Sequence, residues 1–247
     1  MSKLNYLIGV SINKLVIGLI NSNYKALRFI TNGTYFTLDL KRSGEHVNTI
    51  FDVGANIGQS CLSFTESFPN AQIYSFEPIS DTYDKLKTNA QKYSSIHCVK
   101  SALGDEQKEL EISLQPDPEA NSLKVVIENI DSKVETITVD TGENFCRDNN
   151  IQSIDLLKID TEGYELEVLK GFDDAFLKEK VKFIYAEVGF GRTDIFKTHY
   201  ADIEAYLTNL GFVTSGFYEP NRWGKKKLKL GFCNALFTNA TLINVYE

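Results

Sequence analysis

From residue 49 onward the chain alternates short β-rich runs with helix-like stretches, and this alternation constrains its fold more than any other feature. Residues 49–53 (TIFDV) read as a strand ending at glycine, and residues 57–68 follow with helical spacing and close at Pro69. Residues 72–76 read as a second strand. Residues 80–93 then form an amphipathic pattern with Tyr83, Leu86 and Ala90 on one side. Strands are expected again at 96–99, 155–159 (DLLKI) and 183–188 (FIYAEV), with helices at 165–169 and 200–210. Residues 212–217 and 232–238 read as a closing hairpin pair. Repeated β-α-β units imply an α/β domain whose sheet is mainly parallel and covered on both faces.

Two regions break the pattern. Between residues 105 and 140, short strands are expected at 109–114, 123–127 and 134–139 with no helix between them, as a β-rich insertion. Ahead of residue 49, Leu4, Leu7, Ile8, Leu15, Val16, Leu19 and Ile20 fall near helical spacing. That segment reads as a helix packed on the main domain or on a second subunit, so an oligomer stays open. The alternative is a membrane-surface helix, for which only Lys3, Lys14, Lys25 and Arg28 would face anionic lipid. Residues 35–40 (YFTLDL) read as a short strand or a connection into the core.

Charge and cysteine usage narrow the function classes. Lys plus Arg number 26 against 33 Asp plus Glu, a net charge of −7, so counterion release offers little and no nucleic-acid partner is expected. The four cysteines, Cys61, Cys98, Cys146 and Cys233, form no C-x-x-C pair and read as reduced, mostly buried thiols. No cleavage-site pattern follows the N-terminal apolar run, and that run falls short of the ~20 residues a spanning helix needs. A cytoplasmic protein is expected, with peripheral membrane contact as the alternative.

The densest chemical signal is FDVGANIG at residues 51–58. Gly54 allows a sharp turn and close approach of a ligand, and the following helix offers free N–H groups. Glu77, at the end of the next strand in YSFEP, stands 23 residues after Gly54 and is suited to accept both hydroxyls of an adenosine ribose. The turn reads D-x-G-x-N-x-G rather than G-x-G-x-x-G. Asp52 repels a diphosphate but suits a sulfonium, so S-adenosylmethionine is favoured over a dinucleotide. On that reading Asp52 and Asn56 meet the methionyl end and Glu77 holds the ribose. The strand-end loop at Ser101, Ala102 and Leu103 borders the adenine, or else is an ordinary turn closed by Gly104 and Asp105.

The catalytic candidates come from the next strand ends. Asp160 follows the apolar run DLLKI and leaves the sheet beside the cleft, whereas Glu165 reads as the acidic first residue of a helix and Glu162 as either. Glu187 ends the fifth strand in the same way. Asp160 and Glu187 then accept hydrogen bonds from a substrate hydroxyl. The alternative is that Asp160 and Glu187 share a divalent ion; two acids alone are weak evidence for one, and no metal ligand is assigned. His97 reads as structural. His199 is an alternate catalytic base whose better reading is a surface helix position.

These segments together resemble the FkbM family of S-adenosylmethionine-dependent methyltransferases: FDVGANIGQ, YSFEP, SALGD, VETITVD, IDLLKIDTEGYELEVLKG and IYAEV occur in that order over residues 49–237. The resemblance implies a Rossmann-like class I methyltransferase fold, a seven-stranded sheet with its last strand antiparallel. It implies methyl transfer to a hydroxyl of a sugar, a glycan or a small metabolite. Carried onto this chain, it makes Asp52, Gly54, Asn56 and Gly58 the donor loop. Glu77, with Pro78 beside it, becomes the ribose site, and residues 101–103 the adenine border. It places Asp160 and Glu162 near the reacting groups. Residues 1–45 fall outside the pattern as a helical N-terminal extension, and 46–247 form the methyltransferase domain. A nicotinamide-dinucleotide oxidoreductase and a non-catalytic protein of the same fold are the competing readings. The basic run at 222–229 (RWGKKKLK) reads as a solvated hairpin tip, the alternative being a handle for an acidic glycan, a phosphate or a membrane face.

Overall fold

The computed structural model describes residues 15–20, 22, 24–27, 30–114, 123 and 134–245. In chain order, helix α1 (Phe36–Arg42) precedes β1 (Thr49–Val53), α2 (Gln59–Ser67), β2 (Gln72–Phe76), α3 (Ser80–Ala90) and β3 (Ile96–Val99). The insertion supplies β4 (Ala102–Leu103), β5 (Lys108–Ser113) and β6 (Val134–Asp140). Helix α4 (Gly142–Asp148) leads into β7 (Ile154–Ile159), α5 (Glu165–Lys170), α6 (Asp174–Lys180) and β8 (Val181–Gly189). Helix α7 (Tyr200–Asn209) and the hairpin β9 (Phe212–Trp223) and β10 (Lys229–Asn239) follow.

Seven strands form one sheet in the order β3-β2-β1-β7-β8-β10-β9. The first five are mutually parallel, and β10 runs antiparallel between β8 and β9. This is the Rossmann-like class I arrangement with its last strand reversed. Every residue of β7 is buried, as is all of β8 except Lys182. A parallel sheet covered by helices on both faces requires such continuous burial. Strands β5 and β6, expected at 109–114 and 134–139 in the β-rich insertion, form a separate three-stranded sheet with β4, whose residues 102–103 were expected as part of a strand-end loop. The strand expected at 123–127 lies outside the described residues apart from Leu123.

The chain runs β1, β2, β3 outward in one direction and returns to β7 on the other side of β1. Strand order therefore reverses between β1 and β7, and a crevice opens beyond their carboxyl ends. Gly54, Glu77 and Asp160 leave three neighbouring strands at that end.

One strand expectation fails. Residues 35–40 are not a strand, because Phe36–Arg42 is a helix. Leu38 packs with Ile20 and Leu27, whereas Leu40 packs beneath the sheet with Ile50 and Phe64. A helix wedged between two clusters buries residues two apart, which imitates strand alternation. Helices α4 and α6 went unread because each has seven residues, too few to show a period; their signals were the caps Thr141 and Asp173, whose side chains accept from Asn144 N and Ala175 N.

At the N-terminal side, residues 15–20 are helical and Ile20 is fully buried. Arg42 Nη2 donates to the carbonyls of Leu27 and Ile30, both at 2.8 Å, which ties this segment to α1. The earlier part of the expected helix lies outside the described residues. No described helix is long and apolar enough to cross a membrane. The four cysteines are free, and burial pushes the thiols of Cys61 and Cys146 up to about 12, which leaves them unreactive.

Candidate active site

The turn after β1 is built from left-handed residues. Gly54 has φ +77°, and a Cβ there would lie 1.8 Å from the Asp160 carbonyl oxygen. Only glycine lets the two strand exits pass this closely. Gly54 N and Ala55 N both donate to Phe76 O, at 3.2 and 2.9 Å, which locks the turn to β2. Asn56 is also left-handed at φ 49°, and Gly58 caps α2 at φ 100°. These conformations delay the helix to Gln59, two residues later than its spacing suggests.

Glu77 closes the other side of the turn. Its Oε2 accepts the Asn56 N–H at 3.1 Å and its Oε1 accepts the Ile79 N–H at 3.0 Å. Burial pushes its pKa up to about 7, and the two N–H donors and Lys158 counter this only in part. The folded chain therefore holds this proton more tightly than the unfolded chain does. The resulting stabilisation is complete below about pH 4.5 and is lost as pH rises through about 7. Melting temperature is expected to fall between about pH 5 and about pH 8, on the order of 3 kcal/mol of the change coming from this group. Glu77→Gln cannot ionise, so its melting profile over the same window should be flatter. An equal slope in both proteins contradicts the assignment.

Lys158 sits behind the turn, inside β7, whose other charged residue is Asp155. Lys158 stands opposite Asp52 in the β1–β7 register. Its Nζ lies 3.1 Å from Asp52 Oδ1, 3.2 Å from Gly54 O and 3.6 Å from Asp160 Oδ2. Burial opposes the ammonium charge, but Asp52 and Asp160 outweigh it and raise the Lys158 pKa. Asp52 is fully buried and faces this lysine. The expectation that Asp52 meets a ligand cation is thereby corrected: its charge is spent within the protein. The sequence signal was the lysine in DLLKI, since a buried charge needs a partner.

Four side chains form the opposite wall. Carboxylate oxygens of Asp160, Glu162 and Glu187 all lie within 4.8 Å of one another. Lys197 Nζ pairs with Glu162 at 2.5 Å and with Glu187, and stands 4.7 Å from the centre of the Phe232 ring. Burial, with Asp160 adding to it, raises the Glu187 pKa against the pull of Lys197. Glu165 is fully buried and organises the loop that carries these groups. Its Oε1 accepts from Thr161 N, Thr161 Oγ1 and Gly163 N at 3.0, 3.2 and 3.1 Å. Its Oε2 accepts from Thr198 N and Thr198 Oγ1 at 3.3 and 2.5 Å. Glu165 thus fastens the loop after β7 to the segment bearing Lys197, a task beyond that of a helix-starting acid.

A cavity of about 420 Å³ joins these parts. Its lining includes Gly54, Asn56, Glu77 and Pro78, the apolar Ala102 and Leu103, and the charged Lys158, Asp160, Glu187 and Lys197. A family model described as the methyltransferase FkbM domain matches residues 52–214. The chain belongs to the FkbM methyltransferase family. That membership sets aside the nicotinamide-dinucleotide oxidoreductase reading.

Several curated methyltransferases are similar to this chain. Hexuronic acid methyltransferase AglP of Haloferax volcanii is 30% identical over 159 residues, covering 62% of this chain and 60% of that protein. The 31-O-demethyl-FK506 methyltransferase FkbM of Streptomyces tacrolimicus is 28% identical over 158 residues, 52% of this chain and 60% of that one. The 2-O-methyltransferase NoeI of Sinorhizobium fredii is 26% identical over 155 residues, 56% and 62%. The chain thus spans about three-fifths of the length of these curated relatives.

Within the FkbM domain, several sequence-assigned residues stand off the cavity. Gly58 caps α2, where a Cβ would come within 3.0 Å of Leu86. Ser101 is turned away, its hydroxyl donating to Ala102 O and Thr138 O. His199 caps α7 by accepting Ala201 N–H at Nδ1, 3.2 Å, and does not line the cavity, so it is dropped as a base. Lys158 and Lys197 are the charged cavity residues that sequence reasoning missed. Phe232 also lines it, from beyond the matched segment.

Proposed function

We propose that this chain transfers the methyl group of S-adenosylmethionine to a hydroxyl, with a sugar or glycan as the acceptor class. The observation that carries the reading is one cavity lined both by the tethered carboxylate of Glu77 and by the three clustered carboxylates of Asp160, Glu162 and Glu187. The donor set suits that cofactor. Each Glu77 oxygen already accepts one backbone N–H and keeps a lone pair for a ribose hydroxyl. Pro78, Ala102 and Leu103 offer an apolar slot for adenine, and the backbone from Gly54 to Asn56 faces the methionyl end. When bound, the cofactor supplies a methyl group already activated on a sulfonium. The chemistry left to the protein is alignment and proton removal. Alignment contributes on the order of 7–11 kcal/mol in well-oriented systems. Asp160 takes the proton of the acceptor hydroxyl at its carboxylate, and Glu187 accepts a hydrogen bond from the same acceptor. Lys158 and Lys197 hold these carboxylates in place.

No step of this mechanism is routed through a divalent ion: Asp160, Glu162 and Glu187 would be the residues to hold one, and Lys197 already supplies a positive charge to Glu162 and Glu187. The hexuronic acid named for AglP supports a sugar as acceptor, and the 2-O-methyl transfer named for NoeI supports oxygen as the methylated atom. The test is an isotope-labelled methyl-transfer screen over neutral and acidic glycosides, with and without a chelator. Label is expected in O-methyl groups at a rate the chelator leaves unchanged. Label confined to the carboxylate of the acidic glycosides as a methyl ester, no label in any glycoside, or loss of activity on chelation would refute the corresponding part of the proposal.

A further inference from the structure

The β9–β10 hairpin tip carries Arg222, Lys225, Lys226, Lys227 and Lys229 with no acid among residues 222–229, in a chain of net charge −7. Strand β10 pairs with β8 only from Phe232 onward, so among the described residues the tip projects past the sheet with no strand partner but itself. Every residue from 219 to 229 is exposed. Gly224 (φ +81°) and Lys227 (φ 52°) are left-handed, and Lys227 N donates to Gly224 O at 3.0 Å, which defines the loop that carries the three consecutive lysines.

Apolar side chains accompany the charge. Leu228 is 78% exposed. The half-exposed Trp223 is braced against Gly231, where a Cβ would lie 2.6 Å from the indole, and Lys229 Nζ stands 5.2 Å from its ring centre. A dissolved polyanion rewards the lysines but gives no reason for an exposed leucine. An anionic bilayer rewards both, through headgroup charge and through the apolar boundary beneath it. We propose that this tip docks on an anionic lipid surface, with Leu228 and Trp223 entering the headgroup layer and the lysines meeting lipid charge. Phe232, next in β10, lines the cavity at the same end of the sheet as Glu187. Docking holds the chain on the bilayer by the strand that carries Phe232; any benefit to the acceptor rests on the methyl-transfer reading, whereas docking itself does not.

The test is co-sedimentation of the full chain with phosphatidylcholine vesicles, with and without about 30% phosphatidylglycerol. Binding is expected on the anionic vesicles alone and should weaken as salt rises. Each neutralised lysine costs about fivefold, so K225Q/K226Q/K227Q should lower the partition coefficient on the order of 100-fold. Leu228→Ser should lower it further at unchanged charge. Both variants should keep the wild-type melting temperature and its shift with S-adenosylhomocysteine, which separates lost docking from lost fold. Equal binding to neutral vesicles, no vesicle binding, or undiminished binding by the triple variant overturns the proposal. So does a Leu228→Ser variant that binds vesicles as wild type while the lysines serve only to retain the chain on an acidic polysaccharide.

Discussion

Asp160→Asn is expected to slow methyl transfer by ~10²–10⁴-fold, the usual contribution of a positioned general base. Asparagine keeps the shape of the side chain and its place at the β7 exit, where Asp160 N donates to Val53 O at 3.0 Å. It cannot take a proton. The Glu77 end of the cavity is untouched, so affinity for S-adenosylhomocysteine should change by only a few-fold. Lys158 keeps Asp52 as its counter-charge at 3.1 Å, which protects the fold. Glu187 lies close enough to take over part of the task, so Glu187→Gln combined with Asp160→Asn should fall below either variant alone. Turnover and donor affinity measured on the same samples decide the matter. An unchanged rate in Asp160→Asn with donor bound removes Asp160 from the chemistry, and a matching loss of donor affinity makes it a structural residue instead.

Gly54→Ala should be the most disruptive single methyl group in the chain. The new Cβ would lie 1.8 Å from a backbone oxygen of Asp160, a group that no rotamer change moves aside. The left-handed backbone adds strain of about 1–3 kcal/mol, and overpacking adds about 1–3 kcal/mol more. The turn is also fastened to Phe76 O and, through Asn56 N, to Glu77, so its displacement opens the ribose end of the cavity. Lower stability and lost S-adenosylhomocysteine binding are expected together. Gly224→Ala is the control: it is also left-handed, at φ +81°, but a Cβ there meets nothing within 4 Å. That variant should show strain alone, with donor binding intact. Equal destabilisation of the two would mean that the close approach at Gly54 carries no weight.

Much of the fold was legible in the sequence. Strands β1, β2 and β3 have the bounds read from their residues, because each is a short β-rich run closed by turn or breaker residues. The hairpin tip at residues 222–229 was legible for the same reason. The segment YFTLDL misled because two separate cores bury Leu38 and Leu40, a tertiary circumstance that local periodicity does not record.

The site divides along similar lines. Gly54, Glu77 and Asp160 were readable, since each follows directly from a strand end. Asp52 was misjudged: its sign is visible in the sequence, but its neutralisation depends on the register that sets it opposite Lys158. Lys197 left no signal at all. It follows Glu187 by ten residues in an irregular loop, and its position depends on Thr198 being held by the buried Glu165. Charge arguments from sequence therefore succeed for groups at strand ends and fail for those whose partners arrive from other strands.

Calorimetric titration of the full chain with S-adenosylhomocysteine and, separately, with NAD addresses the cavity directly. Saturable one-to-one binding of S-adenosylhomocysteine, absent in Glu77→Ala, with no heat from NAD, is the expected result. Binding of NAD, or S-adenosylhomocysteine affinity that survives loss of the Glu77 carboxylate, would contradict it.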